Sequence, residues 1–158
     1  MNGSLKKGAN FGITSGIITT LGLIIGLNAG THSRLVVIGG ILTIAVADAF
    51  SDSLGMHLSE ESVKKESEKN VWRATVSTWL FKFIFASLFI IPFLLFELDT
   101  GIIISIVWGL LVISFLSYRI AKSRKIKSYK VILQHLIIAI IVIIATFFIG
   151  KFVEIIFG

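Results

Sequence analysis

The 158-residue chain has no cysteine, which removes a disulfide framework, a thiolate zinc site and a thiol nucleophile from consideration. Charge is scarce as well. Only 15% of residues are Asp, Glu, Lys or Arg, and they gather between apolar stretches. That leaves no stretch for a soluble domain, so any function belongs to membrane helices or their ends. No hydrolase triad, phosphate-binding loop or nucleotide motif is present, and neither an enzyme nor a self-driven pump is expected. Long linkers and low-complexity segments are missing too. The N-terminal "MNGSLKKGANFGITSG" has lysines before an apolar run, as a signal peptide would. That run is too long and too glycine-patterned for one, and no small-residue cleavage site stands out.

What the chain does have is hydrophobic sequence, 55% of its residues with a mean hydropathy of +0.94. Soluble domains sit near 45–50% by a broader count. The expected fold is all-α: one polytopic transmembrane domain over residues 1–158. Five stretches approach the roughly 20 apolar residues a span needs, at about 10–28, 35–56, 75–96, 102–119 and 131–156. Short joins make neighbouring spans antiparallel.

The net charge of +6 does not point to nucleic acid, because the basic residues flank the spans. Lys6 and Lys7 precede the first. Lys64, Lys65, Lys69 and Arg73 lie between the second and third. Arg119, Lys122, Arg124, Lys125, Lys127 and Lys130 lie between the fourth and fifth. Those segments share one side, whereas the other has only Arg34 and Lys151 beside the acidic Glu97 and Asp99. The N-terminus is therefore expected in the cytoplasm and the C-terminus outside or in a lumen.

Span one carries glycines at steps of four, Gly8, Gly12 and Gly16, then Gly22, Gly26 and Gly30, with Ser15 and Thr19 on a neighbouring stripe. Small residues at that spacing let another backbone approach, either within the protomer or at a dimer interface. Span two carries Asp48, Asp52 and Met56 on one slowly drifting stripe, with Ser51 and Gly55 beside it. An acid near the bilayer centre costs about 2.5–3.5 kcal/mol on insertion scales, so two call for a reason. Two carboxylates and a thioether suit a borderline divalent metal such as Fe²⁺, Mn²⁺ or Co²⁺. Two close carboxylates also suit proton exchange. In the plain structural alternative, the aspartates satisfy each other, serine hydroxyls or Lys82.

"FGITSGIITTLGLIIGLNAG" followed by "GGILTIAVADAFSDSLGMHLSEES" resembles the first two helices of the vacuolar iron transporter family. The resemblance covers about residues 8–62. It rests on the glycine spacing, the Ala-Asp-Ala-x-Ser run at 47–51 and the match of Gly55, Leu58 and Ser59. Beyond these, span number, span order and Pro92 near the end of span three agree. The resemblance implies a five-helix protomer, a homodimer, and export of ferrous or similar divalent ions from the cytosol in exchange for protons. The ion path would run between the first two helices of both subunits. Asp48 falls on the family's variable acidic position and Ser51 on its serine. Three positions depart: Ser15 stands where the family has a transport aspartate, Asp52 where it has a methionine, and Met56 where it has a glutamate. The join at 57–74 is too short for the long cytoplasmic metal-collecting segment that some members carry.

The resulting expectation is a divalent metal carrier with Asp48, Asp52 and Met56 as metal ligands and Ser15, Thr19 and Ser51 along the path. His57, Glu60 and Glu61 would form a cytoplasmic ion mouth, while Glu66 and Glu68 read as a solvated helix end. Gly12, Gly16, Gly22 and Gly26 serve packing or dimerisation. Ser15 and Asp52 are each about one turn from a cytoplasmic helix end, so they are expected at similar depth. Partners are the divalent ion, protons, lipid and a second copy. No cofactor is expected beyond transported Fe²⁺ or Mn²⁺. The membrane would be the cell membrane in a prokaryote or a vacuolar-type one in a eukaryote. Lys82, two turns into span three, is expected to snorkel to the surface. His135 reads as a lone interfacial histidine near a cytoplasmic helix end, His32 shows no ligand spacing, and Trp72, Trp79 and Tyr118 read as interface anchors. Two other functions fit the residues: a membrane scaffold that has lost transport, or a proton-coupled exporter of small organic cations.

Overall fold

The computed structural model describes residues 3–63 and 67–158. Lys64, Lys65 and Glu66, assigned above to a basic join and a helix end, lie outside the described residues. The described residues form helices and no strand: α1 Gly3–Thr31, α2 Arg34–Glu61, α3 Glu68–Leu88, α4 Ile90–Leu95, α5 Leu98–Ser123 and α6 Ser128–Phe157. Five spans are long and apolar enough to cross a bilayer, α3 and α4 together making one over Glu68–Leu95. Helix is the form that satisfies every backbone N–H and C=O inside hydrocarbon. Each of the five spans runs several residues beyond the apolar stretch expected for it at one end or both. Hydropathy marks the hydrocarbon part of a span, while helical hydrogen bonding continues into its polar ends.

The interruption between α3 and α4 has a local cause. Pro92 has no N–H to donate one turn back, and its ring crowds that carbonyl. The chain accordingly tightens at Phe89, whose N–H donates to Ala86 O at 3.2 Å, and resumes as the short α4. At two other helix ends, His32 and Lys125 adopt left-handed φ of 48° and 55° to turn the chain.

The chain divides into two compact units. One comprises Met1–Thr20 and Ile41–Ile90; the other comprises Leu21–Gly40 and Ile91–Gly158. In the first, glycines draw α1 onto α3. A Cβ at Gly8 would stand 2.3 Å from Ala74 O, one at Gly12 2.5 Å from Thr78 O, and one at Gly16 3.1 Å from Lys82 O. Both numbers of each pair rise by four, so α1 and α3 run parallel with their backbones touching. Ser77 Oγ donates to Leu5 O at 2.9 Å across the same seam.

In the second unit, Gly22, Gly26 and Gly30 of α1 face Thr146 and Gly150 of α6 in the same parallel sense. A Cβ at Gly150 would lie 2.2 Å from Gly26 O, so this seam also excludes any side chain. Helix α5 buries Gly101, Ser105, Gly109, Ile113, Ser117 and Ala121, a four-step stripe of mostly small residues. Ser117 Oγ lies 2.7 Å from His135 Nδ1 of α6, which gives that lone histidine a partner inside the unit. The glycines of α1 from Gly8 to Gly30 thus pack against helices of the same chain.

Candidate functional site: a carboxylate pair around a buried lysine

Helix α2 buries one stripe, Val37, Ile41, Ala45, Ala49 and Ser53, continued by Met56 and Glu60. Asp48 and Asp52 stand at the margin of that face. Their side chains are 26% and 21% exposed. The nearest cation is Lys82 of α3, only 1% exposed. Its Nζ lies 2.5 Å from Asp48 Oδ2, contacts Asp52 Oδ2, and donates to Ser15 Oγ at 2.9 Å. Ser15 Oγ in turn donates to Asp52 Oδ2 at 2.5 Å. Asp48 Oδ2 is out of line for a hydrogen bond despite its short distance, so its contact with Lys82 is ionic.

This corrects the expectation that Lys82 snorkels to the surface. The Gly16 seam presses the α3 backbone onto α1 at Lys82, where a Cβ on Gly16 would meet Lys82 Cα and Cγ at 3.4 Å. From there the ammonium finds two carboxylates and a hydroxyl closer than water. A buried charge costs several kcal/mol unless paired and hydrogen-bonded, and here it is both. With both acids ionised, the cluster carries two negative charges and one positive.

The remaining expected residues are distributed around this centre. Ser15 and Asp52 meet, as their matching depths in antiparallel helices anticipate. Thr19 directs its hydroxyl to Ser15 O at 2.9 Å, within its own helix. Ser51 lies on the outward face. Met56 is buried, at 8% exposure. Glu60 is not an open mouth: it is 3% exposed and paired with Lys7 of α1. Glu61 is exposed. His57 turns away from the acids, with Nδ1 3.0 Å from Thr75 Oγ1 and its ring edge-on to Trp72. It borders an apolar cleft of about 540 Å³ shared with Phe50, Leu54 and Trp79. Trp79 also stacks on Phe83. In the other unit, His32 Nε2 lies 3.2 Å from Glu154 Oε1. Among the described residues, no three His, Asp or Glu side chains group to hold a metal ion.

Sequence reasoning missed a second stripe on α2. Gly39, Thr43, Ala47, Ser51, Gly55 and Ser59, at steps of four, are all small and all exposed. A Cβ at Gly55 would meet nothing within 4 Å. The four-step spacing is present in the sequence, but spacing alone does not say which way that face of the helix points.

Set against known families, residues 52–151 match the model of the VIT family. That match meets the resemblance noted from the first two helices only over residues 52–62, so the two rest on nearly separate parts of the chain. No curated protein matches the chain. With five membrane-length helices and a match over most of its length, the chain is an integral membrane protein that belongs to the VIT family, a family of metal-ion transporters.

Proposed function

We propose that the chain carries a divalent transition metal, Fe²⁺ or Mn²⁺, out of the cytosol in exchange for protons, and does so as a homodimer. The observation that carries this reading is the Ser15–Asp48–Asp52 cluster inside the membrane helices, with both carboxylates still partly open. Intramembrane acids are rare, and they mark ion and proton paths. Oxygen ligands from two carboxylates and a hydroxyl suit a hard or borderline divalent ion. Met56 is the candidate soft ligand, and the flanking lysines orient the N-terminus to the cytoplasm.

The homodimer is supported by the outward small-residue stripe of α2, which lies beside the aspartates. A second copy docked there could approach closely and close the open edge of the carboxylates. The test is metal flux into proteoliposomes across Fe²⁺, Mn²⁺, Co²⁺ and Zn²⁺, with internal pH followed at the same time. Uptake of none of these ions would end the carrier reading. One observation favours a second reading, a scaffold that has lost transport: Lys82 already neutralises one of the two acids. A flux-negative protein that remains dimeric would select it.

A further inference from the structure

Every carboxylate expected to take a cation from solution, apart from the exposed Glu61, is already in contact with a lysine of this chain. Glu60 of α2 is matched by Lys7 of α1, and Asp48 and Asp52 by Lys82 of α3. The two arrangements differ in kind. Lys7 is 56% exposed, whereas Lys82 is 1% exposed and reaches both aspartates as well as the Ser15 hydroxyl. The ammonium therefore contacts the three oxygen-bearing side chains that a metal ion in this cluster would use.

From this geometry we infer that Lys82 is the specificity-determining residue of the site, a tethered cation that competes with the transported ion for Asp48, Asp52 and Ser15. The inference rests on the carrier reading given above. A divalent ion cannot share the carboxylates with an ammonium at contact distance, because like charges at that separation repel strongly where water is scarce. It must displace Lys82. Displacement is feasible, since a lysine head is a point charge on a flexible stem with no fixed fork geometry. It is also unfavourable: the ammonium loses its carboxylates, and among the described residues no other acid contacts it. Lys82 thereby keeps divalent affinity low and rejects ions that bind oxygen too weakly to move it.

The role has an unusual sign. A lysine that merely holds the helices together would, when removed, weaken binding. A tethered competitor, when removed, strengthens it. The experiment measures Mn²⁺ and Co²⁺ binding to the purified full chain in detergent by calorimetry, for wild type, Lys82→Gln, Lys82→Arg and Asp52→Asn. Lys82→Gln is expected to bind both ions roughly tenfold or more tightly, because a repelling charge has gone. Lys82→Arg keeps the charge and adds a planar fork that grips carboxylates, so it is expected to bind several-fold more weakly than wild type.

Equal or weaker binding by Lys82→Gln, with wild type binding measurably, overturns the inference and leaves the carrier reading standing. If Lys82→Gln does not fold, Lys82→Arg decides, and binding as tight as wild type or tighter overturns the inference. Absence of binding in wild type, Lys82→Gln and Lys82→Arg alike overturns both. Asp52→Asn anchors the assignment: binding unchanged by that substitution means the ions sit elsewhere, and the inference falls.

Discussion

Replacing Gly12 with alanine adds one methyl group at the middle rung of the α1–α3 seam that leads into the lysine cluster. The new Cβ would stand 2.5 Å from Thr78 O and 3.0 Å from Lys82 N. Carbon and carbonyl oxygen sit comfortably at about 3.3 Å, so the two helices must part by about 0.8 Å. Neither neighbour is a flexible side-chain tip; both are backbone. Because Gly8 and Gly16 make the same kind of contact one turn on either side, two stiff helices cannot yield at one rung alone. Overpacking of this kind costs about 1–3 kcal/mol. On the scale of soluble domains, about 2–4 °C per kcal/mol, Tm should fall by about 2–12 °C. The assay is thermal unfolding in detergent followed by far-UV circular dichroism, beside Gly3→Ala, whose Cβ meets nothing within 4 Å. Gly3→Ala should leave Tm unchanged. A Gly12→Ala protein as stable as wild type, or an equal loss in Gly3→Ala, would refute close backbone contact along this seam.

Asp48→Asn and Asp52→Asn should each lower metal flux strongly in proteoliposomes while the protein stays folded, since either leaves Lys82 one carboxylate. Asp52→Asn should be the less stable of the two by about 1–2 kcal/mol in chemical unfolding, because Asp52 also accepts from Ser15; the reverse order would refute that hydrogen bond. Gly55→Leu should leave the protomer's Tm near wild type yet shift its mass in light scattering from dimer to monomer, and an intact dimer would remove the α2 stripe from the interface. Lys7→Met should destabilise the chain by leaving Glu60 buried and unpaired, and Lys7→Met with Glu60→Leu should restore most of the loss in a double-mutant cycle. If no recovery appears, the Lys7–Glu60 pair carries no stability.

The spans, their order and the glycine stripes of α1 were legible because hydropathy and four-step spacing are local properties. The meeting of Ser15 and Asp52 was legible too, because helical rise converts residue number into depth and both lie at a similar distance from a helix end. Depth alone says nothing of rotation. A lysine two turns into a span can reach either water or a neighbour, and only the phase of α3 against α1 and α2 decides. That phase is set by Gly16 meeting Lys82, a contact between residues 66 apart in sequence that no periodicity records. The pairing of Glu60 with Lys7 was not legible for the same reason. The outward stripe of α2 escaped notice because alanine, serine and threonine in a membrane helix look like filler until their exposure is seen.

The bridge from Lys82 to the two aspartates also bears on how the protein reaches the membrane at all. A chain made from its N-terminus presents Asp48 and Asp52 to the bilayer before Lys82 exists. On insertion scales each acid opposes entry of α2 by about 2.5–3.5 kcal/mol, and Lys82 burdens α3 similarly. Inserted as separate helices, both segments would bring uncompensated charge into hydrocarbon. Inserted together, they bring acids and ammonium already matched. On this cost alone, α2 and α3 are expected to enter the bilayer as one unit, with Lys82 offsetting the charge of the aspartates.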